Sequence, residues 1–101
     1  MWALIFFDLP MVTKKDKKEY AVFRKNILRD GFRLFQFSTY TRYCLSESNA
    51  QTHLKRVKSW LPPKGKVALL TLTDSHYAAM EIYNGPERED DRDTPQQLEI
   101  F

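Results

Sequence analysis

A chain of 101 residues with 43% apolar residues, 29% charged residues and three glycines suits one globular domain, and no stretch approaches the roughly 20 apolar residues of a membrane span. One cysteine, Cys44, excludes an internal disulfide and points to a reducing, cytoplasmic compartment, while the absence of a basic region before the first apolar run argues against a signal peptide. Residues 1–73 hold 14 Lys or Arg against 5 Asp or Glu and residues 74–101 hold 2 against 8, so a basic body suited to a polyanion partner precedes an acidic tail.

The run WALIFFD, residues 2–8, predicts a buried strand that Leu9 and Pro10 stop. Thr13 followed by Asp16 resembles a capping box, and the helix it opens runs to about Asp30, with Gly31 as its C-terminal stop. At about 100° per residue, Tyr20, Phe23 and Ile27 share a narrow arc, and Lys14, Lys18, Lys25 and Arg29 share the opposite one. The first arc packs on a sheet and the second is a cationic stripe. A solvated helix face and a phosphate-binding surface both fit such a stripe.

FRLFQFSTYTRYCL, residues 32–45, is rich in aromatic and β-branched residues and predicts two short strands broken near Gln36 to Ser38. Ser48 with Gln51 reads as a second capping box. The helix after it spans about Asn49 to Trp60, with Ala50, Leu54, Val57 and Leu61 on one face, and Pro62, Pro63 and Gly65 end it. KVALLTLT, residues 66–73, is a fourth strand, Asp74 to Met80 one or two helical turns, and EIYN, residues 81–84, a short fifth strand. A turn-rich charged linker leads to LEIF, in which Leu98 and Ile100 alternate.

The order βαββαβ predicts an α+β, ferredoxin-like sandwich with two helices on one face of an antiparallel sheet and an extra C-terminal strand. Residues 1–85 form the domain, and residues 86–101 the linker and a closing strand. The uncovered sheet face and the unpaired closing strand predict a homodimer packed sheet to sheet, with tail strands crossing to the partner.

No Gly-rich phosphate loop and no zinc-spaced Cys/His cluster is present. His53 and His76 are isolated and read as surface or helix-end residues, and Cys44 reads as core filler. The aromatic, basic signature of RNA-recognition modules is missing from KVALLTLT. Asp8 is the conspicuous residue, one carboxylate where a buried strand meets a turn. A turn former and a metal ligand are both open readings of it.

FFDLP, YAVFRKNILRDGFRLFQFSTYTR, GKVALLTLTD and MEIYNGP together resemble the CRISPR-associated protein Cas2 family, the small dimeric subunit of the spacer-acquisition integrase. The likeness spans nearly the whole chain. Its most specific part is Phe23, Arg24, Leu28, Gly31, Phe32, Gln36, Ser38 and Tyr40 at fixed distance from Asp8. The extended DLPMVTKKDKK turn and the QQLEIF ending resemble members that accompany single-effector RNA-guided nucleases.

The resemblance implies a ferredoxin-like homodimer in which Asp8 of each protomer ends the first strand near the twofold axis, so that two carboxylates share one Mg²⁺. It implies a CRISPR adaptation subunit that binds duplex DNA and bridges integrase dimers, together with metal-dependent endonuclease activity on RNA or DNA. A toxin-like endoribonuclease of the same fold, acting without an integrase partner, is the alternative. Asp8 and Ser38 are the candidate catalytic residues, Asp8 the metal ligand, and Lys14, Lys18, Arg24, Lys25 and Arg29 the nucleic-acid contacts. Two positions depart from the family pattern. Phe7 stands where Tyr is common and removes a hydroxyl that could orient a water or phosphate, and Thr39 stands where Val or Ile is common.

Overall fold

In the structure, a computed structural model that describes residues 1–85, the first apolar run becomes β1 (Trp2–Asp8). Side chains alternate along a strand. Ala3, Ile5 and Phe7 enter the core shared with the helices, which leaves Trp2, Leu4, Phe6 and Asp8 on the other sheet face. The elements that follow are α1 (Lys14–Arg29), β2 (Arg33–Gln36), β3 (Thr39–Tyr43), α2 (Glu47–Lys58), β4 (Lys66–Leu72) and α3 (Asp74–Ala78). The sheet order is β2-β3-β1-β4 with antiparallel neighbours throughout. This is the predicted α+β, ferredoxin-like βαββαβ arrangement, and it makes β1 a central strand.

Local chemistry sets the ends of α1. Thr13 accepts from the Asp16 amide at 3.0 Å and Asp16 accepts from the Thr13 amide at 3.1 Å, a complete capping box. At the other end Gly31 adopts φ +101°. Its amide donates to the Leu28 carbonyl, and the Phe32 amide donates to the Ile27 carbonyl, the paired bonds of a Schellman stop. Phe23 and Ile27 are buried, and Tyr20 packs partly buried beside them.

Three predicted features are corrected. The cap of α2 is Ser46, whose side chain accepts from the Asn49 amide. Ser48 lies inside the first turn, because the helix starts at Glu47. Leu61 lies beyond α2 and is 45% exposed rather than part of its buried face. EIYN forms no strand. Ile82 and Tyr83 there remain 63% and 81% exposed, and within one chain the segment pairs with no other strand among the described residues. The linker and LEIF lie outside the described residues.

The sheet face away from α1 and α2 is partly covered, where a bare face was expected. Tyr77 of α3 stacks on Trp2 with ring centroids 3.8 Å apart. Thr39 and Thr41, register partners of Phe6 and Leu4, are also buried on this face. Phe6 and Leu70 remain 37% and 46% exposed.

Candidate functional site

β1 ends at Asp8, whose register partner on β4 is Lys66. Gly65, at φ +91°, sits directly against this end. A Cβ there would lie 2.7 Å from the Asp8 carbonyl oxygen and 2.7 Å from Leu9 Cδ2, so only glycine lets the α2–β4 loop approach so closely. On the other side of β1, the Phe7 amide donates to the Ser38 carbonyl at 3.1 Å. Ser38 is the one non-glycine residue with positive φ, +60°, among the described residues. The structure therefore brings Asp8 and Ser38 to the same end of the sheet.

The Asp8 side chain is exposed. Among the described residues it accepts no side-chain hydrogen bond and joins no ion pair. A turn-forming Asp typically bonds a backbone amide shortly after it, and Asp8 makes no such bond. Phe7 points the opposite way. Its ring is stacked on Tyr40 at 5.6 Å and meets Phe23 edge-on at 5.5 Å. A hydroxyl on that ring would enter the helix-side core and not the surroundings of the Asp8 carboxylate, so the departure at Phe7 bears on packing.

Lys14, Lys18, Lys25 and Arg29 are all exposed on α1, on the arc away from Phe23 and Ile27. They are brought together with one another and not with Asp8, because α1 packs on the sheet face opposite the one Asp8 occupies. Arg24 lies on the flank of α1, where its Nε donates to the Tyr40 hydroxyl at 2.9 Å. Tyr40 is 2% exposed, so this bond satisfies a buried phenol.

His53, expected at a surface or helix end, is buried instead. Its Nδ1 lies 2.7 Å from Asp30 Oδ2, and Arg56 Nη1 donates to Asp30 Oδ1 at 2.8 Å. His76 is exposed on α3, as expected. Burial pushes the Cys44 thiol above its usual range, which fits a core residue and not a nucleophile. Lys66 escaped the sequence reading, since its place opposite Asp8 depends on a long-range pairing of β1 with β4.

Among the described residues, no group of three or more His, Cys, Asp or Glu side chains could hold a metal ion. Mg²⁺ takes about six oxygens in near-octahedral geometry. Asp8 of one chain does not by itself fit that requirement. No helix among the described residues is long and apolar enough to cross a membrane.

The family described as CRISPR associated protein Cas2 matches residues 1–80. The chain is 44% identical over 101 residues to the CRISPR-associated endoribonuclease Cas2 of Flavobacterium psychrophilum, covering 100% of this chain and 88% of that protein. It is 43% identical to the protein of that name in Parvibaculum lavamentivorans, covering all of both chains, and 38% identical to that of Ligilactobacillus salivarius, again over all of both. With the βαββαβ sandwich and Asp8 at the end of its first strand, these matches mean that the chain belongs to the CRISPR associated protein Cas2 family.

Proposed function

We propose that this chain is a homodimeric subunit of the CRISPR adaptation machinery that holds duplex DNA along α1 and bridges two integrase dimers, with endonuclease activity centred on a pair of Asp8 carboxylates. The observation that carries this reading is the division of the molecule into two surfaces. Exposed cations line the helix layer, and an exposed carboxylate without an intrachain partner among the described residues stands on the opposite face of the sheet. Phosphate is attracted to the first and repelled by the second unless a cation intervenes.

The relatives' shared name, endoribonuclease, supports hydrolysis of a phosphodiester and favours RNA as the cleaved substrate, with DNA the alternative. A second copy would supply the second Asp8 that one chain lacks, and the two side chains would then be the residues to hold a Mg²⁺ ion. The chemistry supplied by such an ion would be polarisation of a phosphodiester and ionisation of a bound water near neutral pH. This chain's own contribution is to hold Asp8 exposed and fixed, between the Gly65 contact on one side and the Ser38 bond on the other. A cytoplasmic setting agrees with the free thiol of Cys44.

Affinity capture of the full chain tests the assembly. An integrase subunit is expected to copurify, and the purified chain to sediment as a dimer. A chain that sediments as a monomer at micromolar concentration would overturn the homodimer and its shared Asp8 pair, and one that cleaves RNA efficiently and captures no integrase would favour the toxin-like alternative.

A further inference from the structure

The cationic surface of the helix layer extends beyond α1. α2 buries Ala50, His53, Leu54 and Val57, and at about 100° per residue Lys55 falls on the opposite arc while Lys58 lies on the flank, about 90° from the middle of the buried face. Both lysines are exposed. The buried residues of α1 and α2 join one core cluster on the same side of the sheet, so the outer arcs of the two helices face the same way.

Two of the carboxylates that could neutralise this layer are turned inward, Glu19 on α1 is half-buried, and Glu47 is exposed in the first turn of α2, at the end of that helix away from Lys55 and Lys58. Asp16 is 6% exposed, bonded to Thr13 and 3.9 Å from Lys64. The Asp30 side chain is 8% exposed and engaged by both His53 and Arg56. Among the described residues, Lys14, Lys18, Lys25, Arg29, Lys55 and Lys58 form no ion pair. Like charges four apart, as in Lys14 with Lys18 and Lys25 with Arg29, oppose helix formation. A layer that keeps cations unpaired along α1 and in the second half of α2 is complementary to a polyanion lying across them.

We propose that Lys55 and Lys58 form a second row of phosphate-binding cations, engaging the same duplex that α1 engages; this rests on the reading of α1 as a DNA-binding element. The Asp30 bonds to His53 and Arg56 set the position of this row, because they fasten the C-terminal end of α1 to the second half of α2.

The test measures affinity of the full chain for a duplex of mixed sequence across a salt series. Lys55→Gln/Lys58→Gln is expected to flatten the slope of log K against log salt by about 0.9 for each phosphate that is no longer neutralised, up to about 1.8 per copy. Lys55→Arg/Lys58→Arg is expected to keep the parent slope. Lys18→Gln/Lys25→Gln is expected to flatten it by the same rule. An unchanged slope in the α2 glutamine variant, with a flattened slope in the α1 variant, would overturn the second row and leave the α1 reading standing. Unchanged slopes in both would remove both readings. A flattened slope in the arginine variant would show that charge is not the cause, and would also overturn the proposal.

Discussion

The Phe7 amide and the Ser38 carbonyl meet at 3.1 Å, one step beyond the last β1–β3 register pair, Phe6 with Thr39. This bond draws the β2–β3 turn onto the end of β1. Ser38 holds φ +60° at this turn, a conformation that costs a residue with a Cβ roughly 1–2 kcal/mol. Ser38 is thus held at the end of β1 by its backbone, whatever its hydroxyl does.

Two substitutions separate those contributions. Ser38→Gly relieves the left-handed conformation, and the greater freedom of glycine in the unfolded chain offsets part of the gain. A net stabilisation of up to about 1 kcal/mol is expected in thermal or urea unfolding. Ser38→Ala keeps the strain and removes the hydroxyl. If the hydroxyl supports cleavage, both variants lose activity alike, although only one changes stability. If the turn alone matters, both cleave as the parent does.

The elements most legible in the sequence were those with local causes. The Thr13–Asp16 box, the Gly31 stop and the break near Gln36 to Ser38 each depend on a few consecutive residues, and each stands where the sequence put it. The candidate site was legible in part. Asp8 was evident as a carboxylate after an apolar run, but its neighbours Gly65 and Lys66 come from the far end of the chain's fold, at the start of β4, and leave no local mark. His53 was misplaced for the same reason, since its partner is Asp30 at the end of another helix. The side chain of Phe7 was assigned to the wrong surroundings because alternation places it on the face opposite Asp8, next to Tyr40. Ser48 misled because three serine or asparagine residues, Ser46, Ser48 and Asn49, compete for one cap, and only the folded loop selects Ser46.

Asp16 gives the fold a dependence on acid. The amide of Thr13, foremost, and then its hydroxyl hold the Asp16 carboxyl below the usual carboxylate range, against an opposing effect of burial. A depressed folded pKa means that ionised Asp16 stabilises the native state above the unfolded pKa, and that this contribution is lost as pH falls through the folded value. Thermal unfolding followed from neutral pH down through the carboxylate range is therefore expected to show less acid destabilisation in Asp16→Asn than in the parent, from a lower starting stability at neutral pH. Parallel curves for the two proteins would mean that the box contributes nothing through ionisation.

Asp8→Asn separates cleavage from nucleic-acid binding. The amide keeps the size of the side chain and removes the charge, and in a homodimer both copies change at once. A shared ion site would be deleted rather than weakened, so hydrolysis in the presence of Mg²⁺ is expected to fall by orders of magnitude. Binding to duplex DNA is expected to persist, because Lys14, Lys18, Lys25 and Arg29 lie on the helix layer, on the other side of the sheet from Asp8. The fold is expected to be unaffected, since the Asp8 carboxylate is exposed and bonds nothing among the described residues. Three assays on one purified variant decide the matter: cleavage of RNA and DNA with Mg²⁺ and with chelator, affinity for duplex, and spacer integration with the integrase subunit present. Lost cleavage with intact integration would place hydrolysis at Asp8 and bridging elsewhere. Lost integration by a variant that still folds and dimerises would show that Asp8 serves the assembly itself, and would overturn the division of the molecule into a binding face and a cleaving face.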